Sequence, residues 1–186
     1  MKTDIRGIAV NEFPWDADLS DKIKFLLRYA ILAPSTHNSQ PWLFKIREGS
    51  CEIYLNPSLF LPYSDPKNRD QYISLGCATE NLILAAKYFG MYKDIKYYEN
   101  EKYLVAEVFF NEPQRENFNT EYETLIETIL VRINARGIFE KVPIPQKTVE
   151  NILRKLENYL DPSLAIHLIE KDNQIREIAS LTARGI

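Results

Sequence analysis

Residues 26–46 read LLRYAILAPSTHNSQPWLFKI. An apolar run with helical spacing ends at Pro34, six hydrogen-bonding side chains follow from Ser35 to Gln40, and Pro41–Trp42 leads into a β-prone run. Pro34 pushes Ala33 out of helical geometry, so the helix stops before it. A surface turn needs Gly, Pro, Asn or Asp at one or two positions. It does not need six consecutive polar groups, so the loop between this helix and strand is the first candidate for function.

Working outward, Ser20 is placed to cap a helix through Asp21–Leu32, where Ile23, Leu26, Leu27, Ala30 and Ile31 recur at helical spacing. After the loop, WLFKI and CEIYLN, separated by Arg47–Ser50 with Gly49 between them, read as a hairpin. LNPSLFLPYSDPKN, with its three prolines, reads as an extended connection. Arg69 to Phe89 is expected to be a long apolar helix, with Ile73, Cys77, Leu82, Leu84, Ala85 and Ala86 inside and Gly90 closing it. DIKYYE and KYLVAEVFFN are strand candidates, the second strongly β-prone. Further helices are expected from Thr120 to about Ala135, from Gln146 to Tyr159 and from Asn173 to Ala183, with LAIHLIE as a strand between the last two. This irregular alternation predicts an α+β fold, a layered sheet with helices on its faces.

Composition narrows the function. The 186 residues, 45% hydrophobic and 26% charged, suit a globular chain with a real core. A net charge of −3 and the lack of an arginine-rich face argue against a nucleic-acid binder. Cys51 and Cys77 have neither a disulfide framework nor metal-ligand spacing, and a reducing compartment is the default. The opening MKTDIRGIAVNEF lacks the apolar core of a signal peptide, and no apolar run reaches membrane-spanning length. The expectation is a cytoplasmic protein without membrane partners.

The loop's chemistry can be narrowed by elimination. Ser35 and His37 suggest a hydrolase, but no Gly-x-Ser-x-Gly elbow is present and the two are too close in sequence for a usual dyad. His167, the only other histidine, falls in an apolar run and reads as a core residue, which leaves no metal site. The six glycines are scattered, so no phosphate-cradling loop is evident. Two readings stay open. The loop is an ordered turn whose polar groups cap the helix end and bond one another, or it recognises a planar ring with alternating donors and acceptors, such as the pyrimidine side of a flavin. Asn38 and Gln40 each carry a donor and an acceptor, and Ser35, Thr36 and His37 add groups that do either. Pro34 and Pro41 stiffen the loop and lower the entropy lost on binding, while Trp42 and Phe44 would anchor it to the sheet.

The stretch LLRYAILAPSTHNSQPWLFKI, a helix ending in Ala-Pro-Ser followed by Asn-x-Gln-Pro-Trp and a strand, resembles the signature of the FMN-dependent nitroreductase family. DQYISLGCATENLILAAKYFGM resembles that family's long central helix through Gly76, Ala78, Asn81, Leu82, Leu84, Ala85, Ala86 and Gly90. Both motifs come in the right order and cover residues 20 to about 112. The resemblance implies an α/β/α sandwich around a mixed, largely antiparallel sheet, with FMN held at an interface by Ser35, Thr36, His37, Asn38 and Gln40. It also implies NAD(P)H as electron donor, nitro-compounds or quinones as acceptors, and no covalent catalytic residue.

One element of the family pattern is displaced. The phosphate-gripping Arg-x-Ser-x-Arg-like segment normally precedes the first helix, where this chain has only Arg6. A similar element comes later, in VRINARGIF, with Arg132, Asn134 and Arg136. The run after it, VPIPQKTVENILRKLENYLDPSLAIHLIEKD, can be laid over LSDKIKFLLRYAILAPSTHNSQPWLFKIREG, without the Ser-Thr-His-Asn-Ser-Gln loop. Residues 1–130 therefore read as a nitroreductase-like half, and 131–186 as the start of a second, degenerate half. That arrangement resembles the twin-domain, Acg-like branch. It implies that the chain is a fragment of a longer protein, or that a homodimer completes it. Arg132, Asn134 and Arg136 would then grip the FMN phosphate. Two other functional classes are compatible with the residues: a protein that holds FMN with little turnover, and a structural module that has lost it.

Overall fold

The computed structural model of the chain describes residues 7–99, 101–114, 119–135, 137–138, 140, 142–157 and 165–184. The chain divides into two compact units, Met1–Ala135 and Arg136–Ile186. The first unit contains α1 (Leu19–Ala30), β1 (Trp42–Arg47), β2 (Ser50–Leu55), α2 (Arg69–Tyr88), β3 (Tyr92–Tyr97), β4 (Leu104–Phe110) and α3 (Glu123–Val131). The four strands form one sheet in the order β1-β2-β4-β3, antiparallel at every pairing. The fold class is α+β, as the sequence pattern predicts.

Local chemistry explains where these elements begin and end. The N-cap of α1 is Asp18 rather than the predicted Ser20: Asp18 is extended, and its carboxylate accepts the Asp21 N–H at 2.8 Å. A carboxylate also complements the positive end of the helix dipole, an advantage a serine hydroxyl lacks. The hairpin turns on Gly49 at φ 78, a left-handed conformation that glycine adopts without steric cost. Helix α2 ends as predicted. Gly90 is left-handed at φ 67, its N–H donates to Lys87 O at 3.2 Å, and Met91 N–H donates to Ala86 O at 2.7 Å. This paired closure satisfies carbonyls that the last turn would leave orphaned. Helix α3 stops at Val131, short of the predicted Ala135, because Arg132 turns extended at ψ 129.

The core lies between α1, α2 and one face of the sheet. Leu75, Ala78, Leu82, Ala85 and Ala86 of α2 are fully buried, as are Ile23, Leu26, Tyr29 and Ala30 of α1. Strand alternation supplies the other wall: Cys51 pairs with Val108 and Ile53 with Ala106, and all four are fully buried. At one end of the core Phe13 stacks on Phe89 with centroids 4.2 Å apart, and Phe25 meets both edge-on at 5.4 and 5.6 Å. Three predicted core positions of α2, Ile73, Cys77 and Leu84, differ. Ile73 is 59% exposed and Cys77 and Leu84 are half-buried, because at 3.6 residues per turn they share the face of α2 opposite the fully buried Leu75, Ala78, Leu82 and Ala85.

The second unit contains α4 (Gln146–Glu157) and α5 (Asp172–Arg184). Residues 165–170, predicted as a strand, belong to no ladder, and His167 is exposed rather than in a core. A strand is defined by its pairing, and no other strand lies in this unit among the described residues. Among the described residues no helix is long and apolar enough to cross a membrane.

Phe89→Ala removes the ring around which Phe13, Phe25 and Tyr88 pack. It is expected to destabilise the chain by about 3–5 kcal/mol, read as a lower urea midpoint with an unchanged slope. A loss below about 1 kcal/mol would mean that the aromatic cluster is not part of the cooperative core.

Candidate functional site

The loop that opens the sequence reading is an ordered structure with an unusual backbone. Ser35 is extended, Thr36–Asn38 forms a single 3-10 turn, and His37, Asn38 and Gln40 are all left-handed, at φ 52, 55 and 49. For His37 and Gln40 this conformation costs roughly 1–2 kcal/mol each, and less for Asn38, since asparagine tolerates it, so something must hold it. Ser35 is the hub. Its carbonyl accepts Asn38 N–H at 3.0 Å, and its Oγ accepts Gln40 N–H at 3.0 Å. From outside the loop, Thr36 N–H donates to Ser74 Oγ at 3.3 Å, and Ser74 donates onward to Asp70 O at 2.8 Å. Pro41 O accepts Asn56 N–H at 2.7 Å, which ties the exit of the loop to the end of β2.

The backbone is thus fastened while the side chains point elsewhere. His37, Asn38 and Gln40 are exposed. Ser39 Oγ is buried and has no hydrogen-bond partner among the described residues. Beside the loop is an open cavity of about 400 Å³, lined by Pro34, Ser35 and Thr36 on one side and by Asp70, Ile73, Ser74 and Cys77 of α2 on the other. The sequence reading missed Asp70, Ser74 and Cys77. The available signal was Ser74, a hydroxyl three residues before Cys77 on the α2 stripe expected to face inward.

Of the predicted phosphate-gripping residues, Arg132 and Asn134 come together beside the loop's entry, and Arg136 lies outside the described residues. Arg132 donates to Asn134 Oδ1 at 2.8 Å and to Leu32 O at 3.1 Å. The second bond satisfies a carbonyl at the C-terminal end of α1, where a cation is also favoured by the dipole. Arg132 is near enough to Cys77 for its charge to act on the thiol. Burial raises the Cys77 pKa, and the Arg132 charge offsets this only in part. Burial drives Cys51 further, to about 12. Both are thiols at neutral pH and therefore poor nucleophiles. Among the described residues no group of three or more His, Cys, Asp or Glu side chains is placed to hold a metal ion.

The constellation brings two side-chain amides, hydroxyls and an imidazole together on a fixed frame, with an arginine close by. No protein-family model matches the chain. It is similar, at 28% identity over 83 residues, to two Mycobacterium tuberculosis proteins, "Putative NAD(P)H nitroreductase MT3217" of strain CDC 1551 / Oshkosh and "Putative NAD(P)H nitroreductase Rv3131" of strain H37Rv. The aligned stretch is 45% of this chain and 24% of each relative, so the chain spans about a quarter of the length of the curated relatives it matches.

Ser35→Ala removes the acceptor that holds Gln40 N–H and is expected to cost about 1 kcal/mol of ligand-free stability. Gln40→Gly relieves left-handed strain while adding unfolded-state freedom, two effects of about 1 kcal/mol in opposite directions. Ligand-free stability should then change by less than about 1 kcal/mol. Thermal unfolding of both variants checks the pair. A large loss in Gln40→Gly would show that its side chain is structural.

Proposed function

We propose that the chain is an FMN-binding, nitroreductase-like oxidoreductase that takes electrons from NAD(P)H and delivers them to nitro-compounds or quinones. The observation that carries this reading is the Ser35–Gln40 loop, whose backbone is fastened by Ser35 and Ser74 while Asn38 and Gln40 face outward. The similarity to proteins named NAD(P)H nitroreductase supports it, as does the order of the loop and α2 in the sequence.

The residues present fit the group. A buried Ser39 Oγ without a partner and two exposed amides held on a strained frame are what a ring edge with alternating donors and acceptors requires. Asn38 and Gln40 would pair with that edge, with Thr36 and His37 beside them, and Ser35 still has its own hydroxyl proton to donate. Arg132 and Arg136, with Asn134, would meet the phosphate, since guanidinium groups match phosphate oxygens in a bidentate fork. FMN, when bound, supplies the hydride and single-electron chemistry that no side chain here can. The protein's share is to orient the ring, exclude water from its edge and admit flat acceptors. Tyr72 and Ile73 are 47% and 59% exposed, and a Cβ at Gly76 would meet only open space. We propose that this flank of α2 is completed by a second copy of the chain, or by a second half of a longer one in the twin-domain manner. The relatives are nearly twice as long as these 186 residues, which leaves room for such a half.

Fluorescence titration with FMN and riboflavin tests the cofactor, and anaerobic rapid mixing with NADH tests turnover. FMN is expected to bind, and Asn38→Ala to weaken it about tenfold or more, the cost of leaving a desolvated polar group unpaired. Arg132→Ala should weaken FMN more than riboflavin, which lacks the phosphate. Failure to bind added FMN overturns the proposal. Bound FMN that NADH reduces only over many minutes would mean that the protein stores flavin rather than turning it over.

A further inference from the structure

We infer that the outer face of the sheet carries a second small-molecule site, fitted to a flat aromatic molecule with an anionic group. It is an open cavity of about 420 Å³, walled chiefly by Leu43, Lys45, Tyr54, Pro57, Lys102 and Tyr103. That volume is within the range of ordinary ligand pockets. The cavity shares no lining residue with the one beside the Ser35–Gln40 loop, and nothing in the inference depends on flavin.

Three features show that the cavity is built rather than incidental. Tyr103 is left-handed at φ 65, a rare conformation for a bulky aromatic residue, and such strain persists only where the surroundings enforce it. Here Tyr103 O accepts Leu55 N–H at 2.8 Å, and its ring meets Phe60 edge-on at 6.1 Å. The pairing of β2 with β4 also shifts register between Ile53 and Tyr54, an irregularity that re-aims side chains at the rim of a sheet. Tyr54, directly opposite Leu43, is fixed by donating its hydroxyl to Glu52 at 2.8 Å. Its ring, rather than its polar tip, is therefore the surface left for a ligand.

The charges select the ligand's sign. Lys45 and Lys102 are exposed at the rim, neither forms an ion pair among the described residues, and no carboxylate lines the cavity. Glu52, the cross-strand partner of Lys45, is already committed to Arg47 at 2.9 Å and to Tyr54. Lys102 Nζ lies 5.7 Å over the Tyr103 ring, and Lys45 is close enough to Glu52 for its charge to act on that carboxylate. Aromatic walls favour stacked or edge-on rings, and two ammonium groups without an ion pair of their own favour a carboxylate or similar anion at the ring's edge.

The test uses 2-naphthoate, with 2-naphthalenemethanol as a neutral probe of the same ring system, titrated into the whole chain by calorimetry and by amide chemical shifts. Naphthoate is expected to bind with shifts centred on 43–45 and 102–103, about tenfold or more tighter than the alcohol, and less tightly as salt rises. The double variant Lys45→Gln/Lys102→Gln should lose about tenfold for naphthoate and leave the alcohol unchanged. Both lysines are exposed, so the fold should survive, and circular dichroism checks that it does. Asn38→Ala, in the other loop, should leave naphthoate binding intact. The inference is overturned by any of four results: no naphthoate binding, equal affinity for acid and alcohol, unchanged naphthoate affinity in the double variant, or shifts centred on Ser35–Gln40.

Discussion

Everything in the first unit depends on how closely α2 can approach its neighbours. It contacts α1, α3, the turn at Thr36–Asn38 and three of the four strands, which is possible only because Ala78, Ala85 and Ala86 have so little side chain to hold the backbones apart. Larger residues there would force strain into an interior packed as densely as a crystal. The contact is locked by a polar bond, from Asn81 Nδ2 to Tyr29 O at 3.1 Å, which joins α2 to the last turn of α1.

That closeness determines the loop. With α1 and α2 fixed side by side, the chain leaving α1 must pass over the first turns of α2, where Ser74 receives Thr36 N–H. Ser35 then closes the turn from within. The left-handed backbone at His37, Asn38 and Gln40 is a cost the fold tolerates because these anchors over-determine it. The same geometry keeps the polar side chains from satisfying one another. Glycine or asparagine meets such positions at least cost, and of the three only Asn38 is such a residue, so the side chains of His37 and Gln40 are held there at the expense of backbone strain.

The two faces of the sheet make different use of the same alternation. One buries Cys51, Ile53, Ala106 and Val108 under the helices. The other carries Glu52 and Glu107 in directly opposed positions, flanked across the strands by Lys45 and Lys96. Two carboxylates side by side would repel, and each is instead satisfied by its own donors. Arg47 and Tyr54 serve Glu52; Ser50 and Tyr98 serve Glu107. This network holds the tyrosine rings upright and keeps the outer face ordered, with its lysines left at the rim.

The sequence by itself determined whatever rests on neighbours a few residues apart. The hairpin around Gly49, the span of α2 and its closure at Gly90, the break at Pro34 and the outline of the polar loop follow from local sterics and from periods of two and 3.6 residues. Only the tertiary structure decided the rest, because the partners involved are distant in the chain. It placed Asp18 rather than Ser20 at the start of α1, and left the apolar Ile73 exposed on the face of α2 opposite Leu75, Ala78 and Leu82. It gave 165–170 no partner strand, so a β-prone pattern formed no ladder. It also brought Arg132 to the carbonyl of Leu32 and Ser74 to the amide of Thr36. Helical and strand periods show which face of an element is apolar, but not which distant group will meet a particular polar atom. That depends on packing the whole unit at once, and packing is what holds six polar residues between two prolines in one fixed arrangement.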